Sequence, residues 1–201
     1  IKLSGPIVAG NLLETAYEWA GLFWLGRLGP EAVAAVSISF PATFLLISVA
    51  IGFTIAGTTL VAQYTGAGDQ RGVNKVAGQT VLLIGTIALV LSIAGHFSAP
   101  AILRILDAPP EIMPDALIYL RVFYWGLFPM FFFFLFQALL RGWGDTVTPM
   151  KLAALGVTLN IILDPFLIFG WGPFPAMGVA GAAYAIVFSR TVAALVAMYM
   201  V

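Results

Sequence analysis

The sequence has no cysteine, a single histidine and few charged residues. Without cysteine there is no disulfide framework and no thiolate metal site, and the lone His96 excludes a histidine cluster for a metal. Lysine, arginine, aspartate and glutamate make up 9% of the 201 residues, and their formal charges sum to zero. No basic run indicates a nucleic-acid partner. No nucleophile–base pair is recognisable either, so we expect no enzyme and no bound cofactor.

Apolar residues instead make up 61% of the chain. A soluble domain of this length cannot bury so large a fraction, because much of its surface must face water. Glycine, proline and charge clusters separate six apolar segments, each near the roughly twenty residues that cross a bilayer. The predicted spans are residues 3–25, 33–64, 73–96, 116–140, 152–171 and 178–201. We therefore predict an all-α integral membrane protein, a single six-helix lobe over residues 1–201. A short interfacial helix is predicted at residues 99–106, between helices 3 and 4.

The positive charges predict the orientation of this bundle. The side of the N-terminus and of the second and fourth loops carries Lys2, Arg71, Lys75, Arg141 and Lys151. The opposite side carries Arg27 and Arg104. Because lysine and arginine accumulate in cytoplasmic loops, we predict a multi-pass plasma-membrane protein with both termini in the cytoplasm. Both ends lie within apolar sequence, so we expect a fragment, an engineered half or a subunit of a homodimer.

Asp164 is a lone carboxylate in the apolar segment 152–171. An ionised carboxylate is costly at this depth, so it should face a protein cavity or be protonated. Asn160 lies one helical turn earlier on the same face, and Pro165 cannot donate to the carbonyl of Ile161. Carboxylate, amide and free carbonyl together suit a proton or a small cation such as Na⁺. The alternative is a proline-kinked helix whose aspartate only bonds a neighbouring helix.

Further polar residues lie on other predicted helices. Glu14 and Glu18 are four residues apart in the first span, with Tyr17 beside them, and two ionised acids at this spacing repel. We predict that they face a cavity and take part in proton or cation coupling, the alternative being that one is solvated at an interface. Arg190, deep in the sixth span, is expected to pair with one of these acids, with a place in the substrate cavity as the alternative. Gln137 is a candidate for the cavity wall.

Several loop and helix motifs predict structure rather than chemistry. Residues 66–69 (GAGD) lack the lysine end of a phosphate loop and predict a tight turn. In the loop 141–146, Asp145 or Thr146 is predicted to cap the fifth span. Small residues at four-residue spacing in 178–185 predict close helix packing. Phe131 to Phe134 point around a helix, towards lipid or neighbouring helices, and one of them is a candidate for substrate contact.

Four of these motifs occur in the order of a known family. Residues 62–69 (AQYTGAGD), 140–149 (LRGWGDTVTP), 160–165 (NIILDP) and 178–183 (GVAGAA) together resemble the first six helices of multidrug and toxin extrusion (MATE) transporters, most of all archaeal ones. The resemblance covers the whole chain. It implies a twelve-helix protein of two lobes that exports cationic amphiphiles in exchange for Na⁺ or H⁺ by alternating access. It also implies a cation site at Asn160 and Asp164, in a cavity lined by Tyr17, Tyr119 and Gln137.

The sequence departs from the family pattern at two cavity positions. Gly21 stands where the family has an aspartate, and no threonine is found near Ala182 or Ile186 in the sixth span. Glu14 and Glu18 lie on nearly the same face as Gly21 and are candidates to replace the missing carboxylate.

A single lobe would leave Glu14, Glu18 and Asp164 exposed, so we expect a second lobe or a homodimeric copy as partner. Two alternatives stay open: a half that folds and dimerises without transport, and a flippase for lipid-linked oligosaccharides. A flippase should have a strongly cationic cavity, which one arginine among several acids does not favour.

Overall fold

The computed structural model describes residues 4–200, all of whose regular structure is α-helical. Lys2 of the orientation prediction lies outside these residues. The six helices are α1 (Ser4–Leu28), α2 (Pro30–Gly66), α3 (Gln70–Ile105), α4 (Met113–Gly142), α5 (Val147–Phe169) and α6 (Val179–Met200). Each overlaps one predicted span, because the glycine, proline and charge clusters that mark the span ends are also where the helices end.

The α4 helix lies at the centre of the bundle. It packs mainly against α2, α3 and α6, while α5 packs against α6 and α1. Most of α4 is buried, including Leu120, Leu127, Phe133 and Leu135, each 0% exposed. A helix that is apolar on all sides is suited to such a position, since no face has to meet water.

Two of the interhelical turns are closed by aspartates. Asp69 accepts a hydrogen bond from the backbone N–H of Gly72 and caps α3. Asp145 accepts from the N–H groups of Val147 and Thr148 at 2.9 and 3.0 Å. Hydrogen bonding from the Thr148 side chain first, and then from these backbone N–H groups, holds the pKa of Asp145 below its ordinary value. The predicted tight turn at residues 66–69 and the predicted cap of the fifth helix are therefore confirmed.

The α5 and α6 helices approach closely at one glycine. A Cβ on Gly181 would overlap the carbonyl of Leu167 and the backbone nitrogen of Ile168. The predicted close packing is thus present at Gly181. Gly178 does not contribute to it: this residue precedes α6 with a φ of 56°, and a Cβ there would meet no described atom within 4 Å. Gly178 forms part of the turn instead, where a positive φ favours glycine.

The predicted interfacial helix is not a separate element. Residues 99–105 are the last turns of α3, which continues through Pro100. Proline removes one helical hydrogen bond, but Ala99 and Leu103 on these turns are fully buried. Their packing stabilises these turns as part of α3, so the prediction of a separate interfacial helix at residues 99–106 is wrong.

Five helices within residues 4–200, α2 to α6, are long and apolar enough to cross a membrane. The α2 and α3 helices have 37 and 36 residues, about 55 Å each at 1.5 Å per residue. Large apolar side chains are exposed on the outside, among them Leu82, Phe97 and Ile105 at 73, 78 and 83%. Such a surface is stable in lipid and not in water. The protein is therefore a multi-pass membrane protein.

Candidate ion and substrate site

Asn160 and Asp164 lie together in the middle of α5 and are almost fully buried, with 1 and 2% exposed. In the amide orientation that satisfies both ends, Asn160 donates to Asp164 Oδ2 at 3.2 Å and accepts from the backbone nitrogen of Ile186 at 3.2 Å. Pro165 lies inside α5 and has no N–H, so the carbonyl of Ile161 lacks its helical donor. The carboxylate thus has an amide donor beside it and an unpaired backbone acceptor on the same helix.

Other helices bring polar and small side chains towards this carboxylate. Tyr17 of α1 and Tyr119 of α4 lie within electrostatic range of Asp164. Tyr119 is 7% exposed, and Ala182 of α6 is 4% exposed. A methyl group offers no oxygen, so α6 contributes no side-chain ligand at Ala182. The structure therefore brings Asn160 and the two tyrosines near Asp164, the one carboxylate of this group.

A second polar group joins α1 to α6. Arg190 donates to both carboxylate oxygens of Glu14, with Nη1–Oε1 at 2.9 Å and Nη2–Oε2 at 2.5 Å. The side chain of Arg190 is 6% exposed and that of Glu14 is 34% exposed. The guanidinium carbon lies 5.2 Å from the ring centre of Tyr17 and 4.9 Å from that of Phe133. The predicted pairing of Arg190 with an acid is present, and Glu14 is the partner.

The carboxylate of Glu14 also borders a cavity of about 40 Å³ between α1, α4 and α5. Its polar lining comprises Asn11, Glu14, Gln137, Arg141 and Thr146. Gln137, near the end of α4, borders this cavity, whose lining does not include Asn160 or Asp164. The space is large enough for at least one water molecule, with one acidic and one basic side chain around it.

Two remaining candidates lie on the exposed part of α1. Glu18 is exposed, and no hydrogen bond or ion pair of its side chain occurs within residues 4–200. Gly21 is half-buried, and a Cβ there would meet no described atom within 4 Å. Glu18 lies about 6 Å further along the axis of α1 than Glu14, and the ion pair with Arg190 of α6 is made by Glu14.

The expectation that one lobe leaves Asp164 exposed is wrong. The bundle itself encloses this residue, because α5 packs between α1 and α6, and Glu14 has its partner within the lobe. Within the described part of the chain, no three His, Cys, Asp or Glu side chains are close enough to hold a metal ion together.

Sequence reasoning did not assign Phe133 and Arg141 to this region. Phe133 lies one helical turn before Gln137 on α4, and Arg141 lies one turn after it. The four-residue spacing around Gln137 was the signal that could have placed both on the same face. Arg141 was counted as a loop charge, although its side chain borders the cavity beside Glu14.

Residues 6–166 match the sequence family described as MatE. The chain belongs to this family. The resemblance to MATE transporters is thereby confirmed. The relatives are named as resistance proteins and transporters, which also confirms the prediction that the chain is not an enzyme.

Two curated relatives illustrate the family. The probable multidrug resistance protein YoeA of Bacillus subtilis (strain 168) is 35% identical over 194 residues, which are 96% of this chain and 42% of the relative. An FAD transporter of Shewanella oneidensis is 31% identical over 200 residues, which are 100% of this chain and 44% of the relative.

Solved structures give the same picture. A MOP superfamily transporter from Pyrococcus furiosus is 34% identical with a TM-score of 0.92, over 98% of this chain and 43% of that chain. A multidrug resistance MATE transporter in an outward-facing conformation gives the same identity, TM-score and coverage. The chain therefore spans less than half the length of these relatives.

Proposed function

We propose that the chain forms one six-helix transmembrane lobe of a cation-coupled antiporter that exports cationic amphiphilic drugs or toxins by alternating access. Membership of the MatE family and the multidrug resistance proteins among its relatives support the transport activity. In this proposal α1 crosses the membrane in addition to α2 to α6, although Glu14 and Glu18 lower its hydropathy. A second lobe, or a second copy of the chain, supplies the other wall of the substrate cavity.

The observation that carries the proposal is the isolation of the Asp164 carboxylate. Among residues 4–200 the only ion pair is Arg190–Glu14, so Asp164 has no basic partner. A buried carboxylate without a counter-charge either takes up a proton or binds a cation. Asp164 can therefore change its charge state with the ion gradient, which is what coupling requires.

The surroundings of Asp164 favour H⁺ over Na⁺ as the coupling ion. Na⁺ is a hard cation that needs several oxygen ligands, whereas a proton needs one acceptor. Here the oxygen of Asn160 faces the Ile186 nitrogen, and neither Gly21 nor Ala182 supplies a side-chain oxygen. Na⁺ binding at Asp164 and Asn160 would require the amide to turn over.

Transport in proteoliposomes, with pH and Na⁺ gradients imposed separately, tests this function. Asp164→Asn keeps the shape of the side chain and removes its charge, so ion-driven export of a fluorescent organic cation should be lost while the protein folds. Asp115→Asn is the matched control, because Asp115 is exposed at the start of α4 and should transport normally. Export by the Asp164 variant at the parent rate, with unchanged ion dependence, would refute the coupling role.

Orientation and assembly are separate parts of the proposal. With both termini cytoplasmic, a cysteine at Ala67 should be labelled only from the cytoplasmic side and one at Gly172 only from outside. The reverse labelling would overturn the orientation. The exposed acid Glu18 on α1 favours a partner that covers this face, since a charge facing lipid is costly. Native mass spectrometry that finds only single 21.4 kDa chains would contradict pairing of this chain with itself.

Substrates with a negative charge are a second candidate class. One relative is named an FAD transporter, and FAD carries phosphates. The observation in this chain that favours such substrates is Arg190, a buried cation whose partner Glu14 borders the cavity.

A further inference from the structure

The guanidinium of Arg190 is held in place independently of its carboxylate partner. The rings of Tyr17 and Phe133, from two different helices, lie 5.2 and 4.9 Å from its central carbon. Aromatic faces attract a guanidinium and restrict its plane. Its two N–H donor groups, on Nη1 and Nη2, point to the position of the Glu14 carboxylate. They form a preorganised bidentate site for two oxygen atoms, called the fork below.

Glu14, the partner of this fork, is the more exposed half of the pair. Glu14 has 34% of its side chain exposed, against 6% for Arg190, so its carboxylate can be hydrated when it leaves the guanidinium. It also borders the 40 Å³ cavity whose lining includes Arg141. A displaced Glu14 therefore finds water and a second basic group nearby, whereas Arg190 requires a replacement anion.

We propose that Arg190 binds the carboxylate or phosphate of an amphiphilic substrate, which takes the place of Glu14 on the guanidinium. Glu14 then acts as an exchangeable internal counter-ion that occupies the fork between substrates and turns towards the cavity with Arg141 when the anion arrives. This inference deepens the second substrate class of the proposed function. It does not depend on ion coupling at Asp164, since binding requires no gradient.

Flavin mononucleotide and riboflavin make a matched pair of probes, because they share the ring system and differ by one phosphate. Their fluorescence anisotropy is measured with the 201-residue chain in phosphatidylcholine nanodiscs. The variants are Arg190→Gln, Glu14→Gln and the double variant, with Arg104→Gln as a control, since Arg104 is exposed at the end of α3.

The parent should bind flavin mononucleotide more tightly than riboflavin. Arg190→Gln should weaken the binding of flavin mononucleotide by about tenfold or more, because a charge-assisted hydrogen bond is lost. The same variant should leave the binding of riboflavin unchanged. Glu14→Gln removes the competing carboxylate, so it should tighten the binding of flavin mononucleotide. The double variant buries no unpaired charge, so it should fold even if a single variant does not, and it should bind both probes alike. Arg104→Gln should match the parent.

Several outcomes would overturn the inference. Equal affinity for both probes in the parent, or unchanged flavin mononucleotide binding in the double variant, would show that Arg190 has only the structural role of joining α6 to α1. Weaker flavin mononucleotide binding in Glu14→Gln, with folding intact, would contradict displacement. If phosphatidylglycerol in the nanodisc abolishes the probe difference, the fork binds a lipid headgroup and not a soluble substrate. Failure of the Asp164 transport test alongside these binding results would reject ion coupling alone.

Discussion

The two halves of the Arg190–Glu14 pair should not contribute equally to stability. Removing one partner of a buried ion pair costs about 3–5 kcal/mol, because the other charge is left without compensation. Which charge remains therefore decides the cost. Glu14→Gln leaves Arg190, whose side chain is 6% exposed, whereas Arg190→Gln leaves Glu14, which is 34% exposed and borders a cavity.

We expect Glu14→Gln to destabilise the lobe by about 3 kcal/mol, at the low end because the aromatic rings still contact the guanidinium. Arg190→Gln should cost about 1 kcal/mol, the scale of a lost hydrogen bond whose acceptor can be hydrated. For a domain of this size, 1 kcal/mol corresponds to about 2–4 °C in melting temperature. The two variants should therefore melt about 6–12 °C and about 2–4 °C below the parent.

Thermal unfolding in detergent micelles, followed by circular dichroism and by tryptophan fluorescence, measures these shifts. The double variant Glu14→Gln/Arg190→Gln should melt above Glu14→Gln, since it leaves no unpaired charge, and the cycle then gives the coupling energy. Equal losses for the two single variants, or a double variant less stable than Glu14→Gln, would refute the reasoning from unequal exposure.

Three further predictions concern helix packing and caps. Gly21→Asp should leave the melting temperature within a few degrees of the parent, because a Cβ there meets open space, and a large loss of stability would contradict that open space. If transport by this variant in proteoliposomes is also more strongly ion-dependent than transport by the parent, Gly21 is the site of the missing carboxylate. Gly181→Val should destabilise the bundle by about 3 kcal/mol or more, because the valine side chain would overlap the backbone of α5. An unchanged melting temperature would disprove this close approach. Asp145 has a pKa below its ordinary value, so its cap stabilises the protein above the unfolded pKa of about 3.9 and is lost as the pH falls through the lower folded value. The Asp145→Ala variant should therefore melt about 2–4 °C below the parent at pH 7, since the cap contributes about 1 kcal/mol. This difference in melting temperature should shrink below about pH 3. A difference that does not depend on pH would exclude the Asp145 carboxylate as the cause.

Much of the fold could be predicted, because most of the helices end at the glycine, proline and charge clusters that interrupt the apolar segments of the sequence. The turn at residues 66–69 and the Asp145 cap follow from local chemistry. The central position of α4 could not be predicted in this way. Its residues are apolar on every side, so no periodic stripe indicates which helices surround it.

The site was predictable only where its members share a helix. Asn160 and Asp164 are four residues apart, so their common face follows from helix geometry alone. The partner of Arg190 is 176 residues away in the sequence, and neither Glu14 nor Glu18 is distinguished by spacing. The choice depends on how α1 is rotated against α6, which is a property of tertiary packing.

The pairing of Arg190 with Glu14 determines the charge of the cavity region. These two charges compensate each other, so within residues 4–200 they leave Asp164 as the uncompensated acid buried near the tyrosines. In the two proposals, ion coupling depends on α5, whereas recognition of a substrate anion depends on α1 and α6. An anion that displaced Glu14 from Arg190 would add one negative charge to this region, because the displaced Glu14 carboxylate stays beside the cavity with Arg141.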